Sequence, residues 1–180
     1  MEREKIIFAF LACVLLAGLA FLALGALPKQ PVPFFAYGTN LAKSTLSARA
    51  GGFINATEAQ ASGYSLAFAS QDTRPTEFGV ATLVENGSGT VSGAIYYLTP
   101  EEMAALDKQS GVPNFYLRKE VAVSLPDGSI AKAQAYFLPG GVHPAPPART
   151  YYIAAQNGMK EWGYDAGSLD AAVAEAAGSN

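Results

Sequence analysis

Few side chains in this 180-residue sequence can do chemistry. It has one cysteine, Cys13, inside an apolar run, and one histidine, His143, inside P-G-G-V-H-P-A-P-P. That inventory supplies no disulfide, and too few thiolate or imidazole ligands for a structural zinc site. Neither a metal nor a cofactor is expected. A Ser-His-Asp triad could use only His143, which falls in a segment that reads as a surface loop. Chemistry is therefore left to carboxylates, hydroxyls and backbone amides. Hydroxyls, a side-chain amide and a glycine fall together in F-F-A-Y-G-T-N-L, residues 34–41, where two aromatics lead toward Gly38, Thr39 and Asn40. One reading is a ligand cradle, with Gly38 letting the backbone come close to a bound molecule. The other is an ordinary turn, with Thr39 and Asn40 bonded to local backbone groups.

The segment I-I-F-A-F-L-A-C-V-L-L-A-G-L-A-F-L-A-L-G-A-L, residues 6–27, is 22 residues without a charge. A helix of that length crosses a hydrocarbon core of about 30 Å. It is longer than the apolar region of about 7–15 residues usual in a cleaved signal peptide, although Ala23, Gly25 and Ala26 keep cleavage open. Arg3 and Lys5 precede it and Lys29 follows, which favours an N-inside, single-pass orientation with the domain extracytoplasmic. The alternative is a secreted domain released by signal cleavage. The chain thus divides into a membrane anchor or signal sequence (1–28), a Pro-rich spacer (29–33) and one domain (34–180). The net charge of −3, with bases scattered, gives no electrostatic footprint for nucleic acid.

Within the domain, residues 34–37 read as a short strand and 41–50 as a short helix ended by Gly51-Gly52. Residues 64–69 read as a strand. Residues 79–84 and 90–98 read as a hairpin across Asn86-Gly87, a pair suited to the positive φ angles of a tight turn. Thr99-Pro100-Glu101-Glu102 is a capping box with Pro at the first helical position, opening a helix that turns Met103 and Leu106 inward. Residues 116–125 and 129–137 flank Pro126-Asp127-Gly128 as a further hairpin. Residues 148–162 and 168–177 read as terminal helices, with Gly158 a weak point in the first. The fold class is α+β: a small, mostly antiparallel β-barrel or rolled sheet with flanking helices.

This order of pieces resembles the gamma-glutamylcyclotransferase-like superfamily. F-A-Y-G-T-N-L is similar to its Y-G-S-N-L signature, with Thr39 keeping the hydroxyl. V-S-G-A-I-Y-Y-L, residues 91–98, resembles its strand before a short helix. L-D-K-Q-S-G-V-P-N-F-Y-L-R-K-E-V-A-V, residues 106–123, resembles L-D-x-x-E-G-V-x-x-x-Y-x-R-x-x-V-x-V. D-G-S-I-A-K-A-Q-A-Y-F resembles its closing hairpin, and A-R-T-Y-Y-I-A-A-Q-N-G-M-K-E-W-G its late helix, with a Tyr-containing start. The resemblance implies the reaction of that family. The α-amine of a γ-glutamyl compound attacks its own γ-carbonyl, giving 5-oxoproline and a free amine. It also implies that Tyr37, Gly38, Thr39, Asn40 and Leu41 contact the substrate. Tyr116 and Tyr136 match positions whose phenols wall the pocket, or else pack the core.

One position departs from the pattern. The resemblance places the catalytic Glu, the general base, at Ser110, with register held by Leu106-Asp107 before it and Gly111-Val112 and Tyr116 after. A hydroxyl has no proton-accepting form near neutral pH without a partner base. Glu77, Asp107 and Glu120 are the acids that could stand in. Glu120 shares strand alternation with Tyr116 and Arg118. Arg118 itself reads either as an ion-pair residue or as a ligand contact. Three functions stay open: a membrane-anchored cyclotransferase with a displaced base, a non-catalytic domain binding a small ligand or a protein, and a purely structural domain.

Overall fold

The computed structural model describes residues 29–72 and 77–178. The expected N-terminal membrane segment, residues 1–28, lies outside the described residues. Among the described residues no helix is long and apolar enough to cross a membrane.

The chain enters the domain on β1 (Val32–Ala36), whose last three residues are buried. Val32 and Pro33, expected in the spacer, already belong to this strand and pair with Leu98 and Tyr97. A 3-10 turn, Gly38–Leu41, leads into α1 (Lys43–Ala50), which Gly51 stops in the left-handed conformation at φ 91°. Two long strands follow, β2 (Asn55–Gln71) and β3 (Val80–Leu98). Thr99 caps α2 (Pro100–Ser110) with both bonds of the capping box present. Then come β4 (Leu117–Ser124), β5 (Ile130–Phe137), a short β6 (Val142–Pro144), α3 (Arg149–Glu161) and α4 (Gly167–Gly178).

Five strands close into a barrel in the order β3-β1-β5-β4-β2, with β2 pairing back to β3, and β6 adds to the outer edge of β2. The β1–β5 contact is parallel and the other strand pairings are antiparallel. The expected α+β barrel is thus present, with four helices among the described residues. Phe34, Phe35, Phe68, Ile95 and Leu98 fill it, and Leu46 and Leu106 seal it from the helices.

Two sequence expectations are corrected. Asn86-Gly87 does not make a hairpin. β3 runs through it and pairs along its length with β2, with a register shift between Ser62 and Tyr64. Asn86 Oδ1 accepts from the Gly89 amide at 2.8 Å, and Gly87 takes φ 75°, so the pair builds a bulge at an exposed stretch of strand. The same residues suit a bulge or a tight turn, and the long partner strand decides. Gly158, read as a weak point, lies within continuous α3. A Cβ there would stand 2.9 Å from the Ala42 amide nitrogen and 3.1 Å from Leu41 Cβ. Its missing side chain lets α3 rest on the 3-10 turn.

Candidate active site

The 3-10 turn after β1 is fixed from several sides. Tyr37 follows the strand in extended conformation, and Gly38 then takes φ 64°. A Cβ on Gly38 would lie 2.9 Å from Ala81 Cβ, so both backbone angle and space demand glycine here. The Leu41 carbonyl accepts from the Tyr96 hydroxyl at 2.7 Å and the Trp162 indole at 2.9 Å, tying the turn to β3 and to the end of α3. Arg49, in the last turn of α1, donates to Thr39 Oγ1 at 3.0 Å and to Asn40 Oδ1 at 2.5 Å. The Thr39 and Asn40 side-chain oxygens are therefore organised by a cation, which neither sequence reading of the turn included.

Beside this turn opens a cleft of about 280 Å³. Its walls include Tyr37, Thr39, Asn40, Arg49, Ser110, Tyr116, Tyr136 and Tyr151. The structure brings together seven of the residues singled out from the sequence or its resemblance, counting Gly38 at the start of the turn. Leu41 is the exception among the expected substrate contacts. Its side chain is fully buried in the core and contributes nothing to the cleft wall. The turn closes into a 3-10 helix, which rotates that side chain inward.

Ala81 on β3 holds two of the tyrosines. Its carbonyl accepts from Tyr116 Oη at 3.0 Å, and its amide donates to Tyr151 Oη at 3.1 Å. The Thr39 and Tyr116 hydroxyls neighbour Tyr151 Oη as well, so the three hydroxyls form one cluster on the cleft wall. Tyr116 and Tyr136 stack at 5.8 Å between ring centroids. Tyr37 donates to the Tyr136 carbonyl. Burial is the main cause that pushes the phenols of Tyr37, Tyr116, Tyr136 and Tyr151 above the ordinary tyrosine value. For Tyr136 the nearby Asp107 charge adds to this. Near neutral pH these groups are uncharged hydrogen-bonding partners, not bases.

The carboxylates weighed as substitutes stand elsewhere. Asp107 accepts from Tyr136 Oη at 2.9 Å and from Arg118 at 2.6 Å, behind the cleft wall. Glu120 pairs with Lys132 at 2.8 Å with its side chain 52% exposed. Glu77 is exposed. The expected alternation from Tyr116 through Arg118 to Glu120 fails because Tyr116 precedes β4, in the chain still turning away from α2. Within the strand, Val121 and Val123 face the barrel, and the even-numbered residues face out. Arg118 is thereby an ion-pair residue. Ser110, at the end of α2, lines the cleft beside Tyr136. Among the described residues no carboxylate lines the cleft, and no three His, Cys, Asp or Glu side chains gather to hold a metal ion. His143 sits exposed on β6, with Nδ1 at 2.8 Å from Asp72.

Sequence reasoning missed Arg49 and Tyr151. Arg49 is one of two bases on a short helix, with Lys43, and nothing local marks the one that folds back on Thr39. Tyr151 is half of a Tyr-Tyr pair at the start of α3, and only the docking of that helix selects it over Tyr152.

The site is a polar cleft where one end of a small mixed barrel meets a glycine-hinged turn and a helix terminus. A family model described as gamma-glutamyl cyclotransferase, AIG2-like, matches residues 34–158, and the chain belongs to this family. A gamma-glutamylcyclotransferase from Bos taurus is 28% identical over 134 residues, covering 72% of this chain and 71% of the relative. A solved gamma-glutamyl cyclotransferase superposes with a TM-score of 0.67 at 25% identity, over 74% of this chain and 81% of that one. An uncharacterized protein from Homo sapiens gives 0.66 at 25% identity, over 75% and 82%.

Proposed function

We propose that this protein takes a γ-glutamyl compound into the cleft and cyclises it slowly to 5-oxoproline with release of the amine. One observation carries this reading. The Tyr37–Asn40 turn, the Ser110 end of α2 and three tyrosines converge on one cleft that also holds Arg49. Arg49 suits the α-carboxylate of the ligand. The α-amine then attacks the γ-carbonyl of the same molecule, so holding the two groups together supplies much of the acceleration. As the new C–N bond forms, the carbonyl oxygen gains charge, and the Tyr151 hydroxyl on the cleft wall is placed to donate a hydrogen bond to it; the charge returns to the carbonyl as the old C–N bond breaks. The proton leaving the attacking nitrogen must reach the departing amine. Ser110 offers only a hydroxyl to pass it on, which lowers the rate by about 100- to 10,000-fold relative to a carboxylate base.

The test is 5-oxoproline production by the purified full-length chain in detergent, counted by mass spectrometry over a panel of γ-glutamyl amides. Slow turnover that disappears in Arg49→Gln supports the proposal. Turnover unaffected by Arg49→Gln would overturn the assignment of the cleft. A second reading, a binding domain without turnover, is favoured by the absence of a carboxylate from the cleft among the described residues. It predicts saturable binding with no 5-oxoproline.

We propose further that residues 6–27 anchor the chain in a membrane, with the domain on the extracytoplasmic side. The reading rests on the length and apolarity of that run. Recovery in the membrane fraction, with the domain open to protease added outside, supports it. A soluble, N-terminally cleaved product would overturn it.

A further inference from the structure

The cleft holds a cation without an anion. Arg49 is among its walls, and among the described residues neither Asp nor Glu is. Its side-chain partners, Thr39 and Asn40, are neutral, so they orient the guanidinium without discharging it. The charge acts across the cleft, since Arg49 eases ionisation of both Tyr116 and Tyr151 against the larger effect of their burial. The remaining groups are phenols, one alcohol and amides, none of which carries charge near neutral pH.

A γ-glutamyl compound brings two opposite charges on one carbon. Its carboxylate meets Arg49. Its ammonium must enter a desolvating, positively charged space with no carboxylate to receive it, which is unfavourable. Cyclisation removes that ammonium: the nitrogen becomes a neutral lactam N–H and the carboxylate survives. A lactam N–H needs only a neutral acceptor, which Ser110 Oγ supplies at the cleft wall. A space of about 280 Å³ suits a molecule of this size.

Resting on the reading that this cleft is the ligand site, we propose that its preferred ligand is a small carboxylic acid bearing an amide or lactam and lacking an ammonium group, of which 5-oxoproline is the type. The Ser110 substitution thereby inverts the order of affinity, favouring the cyclised acid over its γ-glutamyl precursor.

Glutaramic acid and glutamine isolate the charge, because they differ only in the ammonium group. Calorimetric titration of the full-length chain in detergent is expected to show glutaramic acid binding at least about tenfold tighter than glutamine, a range set by one hydrogen bond to a charged group. 5-Oxoproline should follow glutaramic acid. Ser110→Glu should narrow or reverse the preference, and Arg49→Gln should abolish binding of all three. Equal or tighter binding of glutamine by the wild type overturns this inference and leaves the cleft assignment standing. Binding of none of the three by folded wild type overturns the cleft assignment itself. The wild-type comparison decides the matter even if Ser110→Glu does not fold.

Discussion

Replacing Gly38 by alanine tests whether the turn is held as described. The residue sits at φ 64°, and an added Cβ would stand 2.9 Å from Ala81 Cβ and 3.5 Å from Tyr151 Oη. The left-handed conformation costs an L-residue about 1–2 kcal/mol. The Ala81 methyl is attached directly to a barrel strand and cannot rotate away, and carbon atoms rest at about 3.5–4.0 Å. Relieving the overlap by shifting strand or turn costs about 1–3 kcal/mol more. The expected loss is therefore about 2–5 kcal/mol. Gly87→Ala is the control: its φ is 75° but nothing lies within 4 Å of the added carbon, so it carries the backbone term alone. Denaturant unfolding of wild type and both variants gives the difference directly. Gly38→Ala should also weaken ligand binding, because Ala81 holds both Tyr116 and Tyr151. A cost for Gly38→Ala no larger than that for Gly87→Ala would refute the close approach.

Gly158→Ala should destabilise the protein although alanine is the better helix former by about 1 kcal/mol, because its methyl meets the Ala42 backbone at 2.9 Å; a raised thermal midpoint would contradict the docking of α3 on the turn. Glu120→Gln should leave 5-oxoproline production and ligand affinity within about twofold, since its partner is the exposed Lys132; a large loss would restore Glu120 as a base. Stability should fall as pH rises from about 10. Burial raises Tyr164 to about 12 in the folded chain, and Tyr116 and Tyr151 are raised as well. The unfolded chain releases these protons near 10, so the contribution is whole below that value and declines through about 12. Denaturation midpoints that stay flat across this window would contradict the burial of these phenols.

The parts of the fold that local chemistry dictates were readable from the sequence. The Thr99 capping box opens α2, Gly51 stops α1, and Pro126-Asp127-Gly128 joins β4 to β5. The course of β2 and β3 was not readable, because Asn86-Gly87 satisfies a bulge as well as a turn, and only a 17-residue partner strand chooses. At the site, the turn and the departure from the resembled pattern at Ser110 stood out through ordered resemblance, whereas Arg49 and Tyr151 did not. Both reach the cleft through tertiary docking: a helix end folded back on Thr39, and a terminal helix laid against the 3-10 turn through Gly158. Leu41 shows the converse. Its place as the last residue of the signature implied contact with the substrate, while its side chain is buried in the core.

The proposed function requires that the cleft bind a γ-glutamyl compound with Ser110 where the resemblance places a base. The most direct measurement is the rate of 5-oxoproline formation from one γ-glutamyl amide by wild type and by Ser110→Glu, each shown to be folded. The account predicts that Ser110→Glu is faster by about 100- to 10,000-fold. Equal rates in the two proteins would mean that position 110 does not face the reacting nitrogen, and would contradict the account.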